Sequence, residues 1–163
     1  MFHIRPLQAA DWPAVWAFMA PVLRAGETYA FDPAITEAAA REAWVDLPLA
    51  TLVAEDAEGQ VIGTYYLKAN QPGLGSHVCN CGYLVAESAR GQGVAAALCE
   101  HSQQLAVAQG FRAMQFNLVA ATNTGAVRLW QTLGFTIAGT LPGAFRHRRL
   151  GYVDAHVMYK SLV

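Results

Sequence analysis

Arg90-Gly91-Gln92-Gly93-Val94-Ala95 decides how this chain reads. It lies between an apolar strand-like run, Gly82-Tyr83-Leu84-Val85, and a helix-like run that ends near Gln109. Two glycines in a short loop let backbone pass close to a ligand with no Cβ in the way. A helix starting there aims free N–H groups and the positive end of its dipole at an anion. Arg90 adds a fixed positive charge. The combination suits a pyrophosphate.

Upstream of the loop, residues 2–5 read as a first strand. Asp11 is placed to cap a helix with Pro13 at its second position, running to about Arg24 and stopped by Gly26. Thr36 caps a short helix through Trp44, with Glu37 in its first turn. Residues 52–54 and 61–67 read as strands joined by a tight turn over 56–59, and 77–85 returns as a strand. Downstream, Val94, Ala97, Leu98, His101, Leu105 and Ala108 recur at helical spacing, and Gly110 ends that helix. A strand over 111–119 follows, then a helix from Asn123 through Leu133 ended by Gly134, then strands over 135–139 and 152–159.

The order is β-α-α-β-β-β-α-β-α-β-β. Short turns make the early strands antiparallel, and the crossover helix makes its flanking strands parallel. The expected fold class is α/β (α+β): a mixed, mostly antiparallel sheet of about seven strands with helices on both faces.

At 163 residues, with no linker, repeat or low-complexity segment, the chain reads as one domain over 1–163. It is 54% hydrophobic and only 14% charged, which excludes a disordered chain. A net charge of −1 without a basic stripe argues against nucleic acid as partner. No apolar run approaches the roughly 20 residues that span a bilayer, and the first residues lack the pattern of a signal peptide. Three cysteines without framework spacing point to a reduced, cytoplasmic setting.

Two stretches together resemble the GCN5-related N-acetyltransferase (GNAT) family across nearly the whole chain. Residues 90–95 match its acetyl-CoA pyrophosphate loop, Q/R-x-x-G-x-G/A. Asn123-Thr124-Gly125-Ala126-Val127-Arg128-Leu129-Trp130-Gln131-Thr132-Leu133-Gly134-Phe135 matches its Asn-led helix ending in Leu-Gly-Phe. The resemblance implies a GNAT fold with a splayed parallel strand pair forming the acetyl-CoA cleft, and acetyl-CoA as co-substrate. It implies that Arg90, Gly91 and the backbone N–H groups of Gln92, Gly93, Val94 and Ala95 hold the pyrophosphate. Leu84 and Val85 would bond the pantetheine through their main chain, and Asn123 would bond the same arm.

Further stretches are similar to the yeast N-acetyltransferases that act on proline analogues such as azetidine-2-carboxylate. These are residues 63–73, Ser76-His77-Val78-Cys79-Asn80-Cys81-Gly82-Tyr83, Phe116-Asn117-Leu118-Val119 and Gly151-Tyr152-Val153-Asp154-Ala155. In that subfamily the residues matching Asn80 and Asn117 hold substrate.

Geometry fits that role. Asn80 and Asn117 lie on the strands before and after the crossover helix, so neighbouring strands would bring both amides to the gap. An amide offers an acceptor for an amine N–H and a donor for a carboxylate, and positioning of this kind accelerates transfer. The plainer alternative is that each Asn satisfies backbone at a strand break.

Many GNAT members carry Tyr where Trp130 stands, to protonate the departing thiolate. An indole only donates, so Trp130 is expected to pack on cofactor or core, with water or no acid serving the leaving group. Glu27 is the candidate general base, or else a solvated loop carboxylate, and Thr28 and Tyr29 would line the acceptor pocket. His77 alternates away from Asn80 and reads as structural. His77, Cys79 and Cys81 share one strand face but cannot converge on a tetrahedral ion, so no metal is expected. Arg146, His147, Arg148 and Arg149 form the one basic cluster, facing either solvent, a substrate carboxylate or the CoA 3′-phosphate.

The expected activity is transfer of acetyl from acetyl-CoA to the nitrogen of a small amino or imino acid, a toxic proline analogue among them. Transfer would be by direct attack in a ternary complex, with an N–H near Val85 holding the oxyanion. Rivals are a primary-amine acceptor (a phosphinothricin-like amino acid or a protein N-terminus) and an acyl-CoA-binding module without catalysis. No nucleic acid or membrane partner is expected, and the apolar composition leaves room for a homodimer.

Overall fold

Alternating burial along the strands sorts the side chains into two layers, and this alternation organises the molecule. The computed structural model describes residues 1–163. Seven strands form one sheet in the order β1-β2-β3-β4-β5-β7-β6. They are β1 (Phe2–Pro6), β2 (Ala50–Asp56), β3 (Val61–Ala69), β4 (Val78–Val85), β5 (Ala113–Ala120), β6 (Thr136–His147) and β7 (Gly151–Ser161). Every pair is antiparallel except β4 with β5, which the crossover helix α3 (Val94–Ala108) joins in parallel. The expected element order and mixed sheet are both present.

On one face, Cys79, Cys81 and Tyr83 of β4 pack with Val94, Leu98 and Cys99 of α3 and with Trp130 of α4 (Thr124–Thr132). On the other, Val53 and Leu84 pack under α1 (Trp12–Ala25) and α2 (Glu37–Arg41). α1 presents Trp12, Val15, Met19 and Leu23, the three-and-four spacing of a helix that buries one stripe. Each such fully buried side chain contributes about 1.5–3 kcal/mol.

Four local expectations need correction. The Asp11 side chain does not cap α1. Its carboxylate receives two bonds from the Arg5 guanidinium, at 2.7 and 2.9 Å, and one from the Gln8 N–H at 2.7 Å. The nearby cation holds that carboxyl below the ordinary aspartate range. α3 is rotated relative to the expected stripe: Ser102 and Ala106 are buried and Ala108 is exposed. His77 lies just before β4, exposed, and contributes its carbonyl to the Arg112 N–H. β6 runs eight residues past the expected 139, to His147, so part of the basic cluster ends a strand. Thr36 does cap α2, accepting from the Ala39 N–H at 3.2 Å. The chain then widens into one turn closed by Leu47 N–H to Glu42 C=O, at 2.9 Å, which carries Trp44 into the core.

Candidate active site

The parallel seam is short. β4 and β5 pair at Val78 with Ala113 and Cys79 with Met114, and then separate. At the next position the Asn80 side chain takes over from the backbone. Its Nδ2 donates to the Gln115 carbonyl at 2.9 Å, and its Oδ1 accepts from the Tyr66 hydroxyl at 3.0 Å. Burial pushes the Tyr66 hydroxyl up to about 12, so it remains a donor at neutral pH. Asn80 is only 6% exposed. One lone pair and one amide hydrogen stay available on it.

Beyond Asn80 the gap opens into a cavity of about 980 Å³. Asn80, Asn117, Asn123, Thr28, Tyr29 and Trp130 all line it, so the fold brings most of the expected site together. Asn117 is exposed at its edge, donating to Asn70 Oδ1 at 2.7 Å and accepting from Gln115 Nε2 at 3.0 Å. Asn123 caps α4, accepting from the Ala126 N–H at 3.4 Å. Trp130 is 9% exposed and packs against Tyr83 and Phe116, with ring centroids 5.1 and 5.2 Å apart.

Arg90, Gly91 and Ala95 form the cavity's cationic end, with Lys68 the other cation along its wall. Gly91 and Gly93 hold φ at +75° and +80°, a backbone that other residues adopt only with strain. Gly93 is the N-cap of α3 and supplies no capping side chain. The first bond of α3 runs from the Ala97 N–H to the Gly93 C=O at 3.1 Å. The N–H groups of Val94, Ala95 and Ala96 precede it and are left for an anion. A pyrophosphate fits this cradle. The Gln92 side chain turns back to the Ser88 carbonyl at 3.1 Å, and the Val94 side chain is core, so each offers backbone only.

Leu84 does not fit its expected role. Asn70 N–H bonds the Val78 carbonyl and Ala86 N–H bonds the Ile62 carbonyl, so the even-numbered residues of β4 direct their main chain to β3. The main-chain groups of Tyr83 and Val85 face the gap instead. Those of Tyr83 are engaged by Tyr29, expected only to line the acceptor pocket. The Tyr29 hydroxyl donates to the Tyr83 carbonyl and accepts from the Tyr83 N–H at 2.9 Å. Burial raises the Tyr29 pKa. A free strand edge beside a nearby tyrosine is the signal for this contact, and it becomes visible only once the seam's length is known.

Glu27 also needs correction. Its carboxylate accepts from Arg149 Nε at 2.5 Å and is not part of the cavity wall. The Arg149 cation holds it below the usual carboxylate range, which makes it a weaker proton acceptor. No carboxylate or imidazole lines the cleft cavity at all. Glu27→Gln is therefore expected to change kcat/KM less than about fivefold and to leave the midpoint of the pH–rate profile in place. A loss of 100-fold or more, together with a vanished acidic limb, would restore Glu27 as the base.

The acetyltransferase (GNAT) family model matches residues 11–135. The chain belongs to the GNAT acetyltransferase family, whose members use acetyl-CoA as acyl donor. It is similar to a GCN5-related N-acetyltransferase from Kribbella flavida, at 46% identity and TM-score 0.93 over 98% of this chain and 97% of that one. Over 103 residues it is 42% identical to the N-acetyltransferase aca1 of Schizosaccharomyces pombe. That match covers 63% of this chain and 49% of the relative, so the chain spans about half of that protein's length. A phosphinothricin acetyltransferase from Sinorhizobium meliloti, solved with acetyl-CoA, shares the fold at 22% identity and TM-score 0.86, over 98% of this chain and 88% of that one.

Proposed function

We infer that this chain transfers acetyl from acetyl-CoA to the nitrogen of a small amino or imino acid, with proline analogues among its acceptors. The observation that carries this reading is a pair of cavities that meet. The cleft cavity begins at the anion cradle. A second cavity, of about 950 Å³, lies under the β6–β7 turn, and the two share Tyr29, Ala30, Phe31 and Leu118 as a common wall. Two substrates brought together where the cavities adjoin, at these shared residues, can react directly, without a covalent enzyme intermediate.

In this reading Arg90, Gly91 and the α3 N-terminus hold the pyrophosphate, and the Val85 N–H faces the thioester. Asn80 and Asn117 face the acceptor from the wall of the cleft cavity, Asn117 beside the shared Leu118. With no carboxylate or imidazole along the cleft, the acceptor nitrogen arrives neutral or loses its proton to water. Trp130 packs beside the acyl end and takes no proton role.

CoA release is the test, measured with acetyl-CoA and a panel of azetidine-2-carboxylate, primary amino acids including phosphinothricin, and short peptides. Turnover on the cyclic imino acid is the expected result. Turnover confined to primary amines or peptides overturns the proline-analogue assignment, and CoA binding with no turnover on any amine overturns the enzymatic reading.

A further inference from the structure

The second cavity is walled by the loop after α1 and by the β6–β7 turn, and three bonds latch these together. Arg148 N–H donates to the Gly26 carbonyl at 3.0 Å, Arg148 Nη1 to the Arg24 carbonyl at 2.5 Å, and Arg149 Nε to Glu27 Oε1 at 2.5 Å. His147, the last residue of β6, lines this cavity and is only 4% exposed. Its Nδ1 accepts the N–H groups of Arg149 at 3.2 Å and Leu150 at 3.1 Å. A ring nitrogen that accepts two backbone N–H groups carries no proton, so the neutral ring bears its hydrogen on Nε2.

That Nε2–H meets no acceptor within the protein. No fully shielded side-chain nitrogen or oxygen in the molecule lacks a partner, so Nε2 keeps part of the small exposure left to His147, a residue of the cavity wall. The result is an oriented donor, nine-tenths buried, held by its own turn. Arg146 and Arg148 line the same cavity, and Asp32 is its one acidic lining residue. Asp32 already accepts the Ala34 N–H at 2.8 Å. The field in the cavity favours an anion.

We propose that His147 Nε2–H recognises the carboxylate of the acceptor in this second cavity, selecting amino and imino acids over their uncharged analogues. This rests on the acetyltransferase reading above. His147 is a specificity-determining residue that touches substrate, and its Nδ1 separately holds the β6–β7 turn.

Two substitutions divide those duties. In His147→Asn the side-chain oxygen sits where Nδ1 does and still accepts from Arg149 and Leu150, but nothing reaches the cavity. In His147→Gln the amide nitrogen reaches where Nε2 does, but the turn loses its acceptor. KM and kcat are measured for azetidine-2-carboxylate and its carboxamide, with thermal unfolding alongside. Wild type is expected to favour the acid by about 10- to 50-fold in kcat/KM, the range of one charge-assisted hydrogen bond. His147→Asn is expected to lose that preference through KM, with the acetyl-CoA KM and Tm unchanged. His147→Gln is expected to keep the preference and lower Tm.

An acid preference equal in wild type and His147→Asn overturns the proposal, as does a wild type without preference. Should the enzyme use a primary amino acid instead, the comparison runs on that acid and its amide, so a wrong acceptor is told apart from a wrong role for His147. Acceptors without a free carboxylate, used as well as those with one, overturn it too.

Discussion

Gly93→Ala is expected to raise the KM for acetyl-CoA by about 10- to 100-fold, and Gly110→Ala to leave it unchanged. The two positions are matched. Gly93 and Gly110 flank opposite ends of α3, at φ +80° and +89°, and a Cβ built at either meets no protein atom within 4 Å. Both alanines therefore carry the same left-handed strain, about 1–2 kcal/mol. Only Gly93 stands in the cradle proposed to hold the pyrophosphate. Displacing that backbone weakens charge-assisted bonds worth about 1.5–3 kcal/mol each, and 1.4 kcal/mol is tenfold in affinity. Steady-state kinetics with varied acetyl-CoA, beside thermal unfolding of both variants, makes the comparison. Equal KM shifts in the pair would mean that strain alone explains the effect and that the cradle is not the cofactor site.

Asn80→Ala is expected to cost about 1–3 kcal/mol of stability and to lower kcat on small acceptors by about 100-fold. The stability loss follows from leaving the Gln115 carbonyl and the Tyr66 hydroxyl without their partner in a buried setting. The rate loss follows from the seam: without the bridge, the gap proposed to hold acetyl and acceptor keeps only the Asn117–Asn70 side-chain bond across its mouth. Asn80→Asp separates the two bonds. It can still accept from Tyr66 but cannot donate to Gln115, so it should also lose rate. A stable Asn80→Ala enzyme with full kcat would sink the positioning role. A destabilised one with full kcat would leave Asn80 as a strand bridge alone.

The sequence carried most of the fold because its punctuation is strong. Gly26, Gly110 and Gly134 each end a helix at positive φ, and Thr36 and Asn123 each cap one with a side-chain oxygen. The conformation of the Gly91–Gly93 loop was legible for the same reason, since both glycines hold the positive φ that a tight approach to α3 requires. What stayed hidden depends on contacts between distant segments. Arg5 draws Asp11 away from capping α1, and Arg149 draws Glu27 out of the cleft across 122 positions of sequence. Asn80's bond to the Gln115 carbonyl was hidden too, because it depends on where the parallel pairing of β4 with β5 stops. His147 was only one member of a basic run, because burial is invisible in a string of charged letters. Leu84 was misassigned by one residue, which in a strand reverses the direction of every main-chain group.

The brevity of the β4–β5 seam has a mechanical side. Between the block β1–β4 and the block β5–β7–β6 there are only two registered pairs, with the Arg112–His77 backbone bond and the Asn80–Gln115 and Asn117–Asn70 side-chain bonds beside them, whereas β6 and β7 share eight registered pairs. The sheet is in effect two plates with a narrow weld. A donor molecule lying in the gap would add a spar between the plates, and any ligand that binds only the joined form raises the work of parting them. The stiffness of the enzyme would then track the supply of its own substrate.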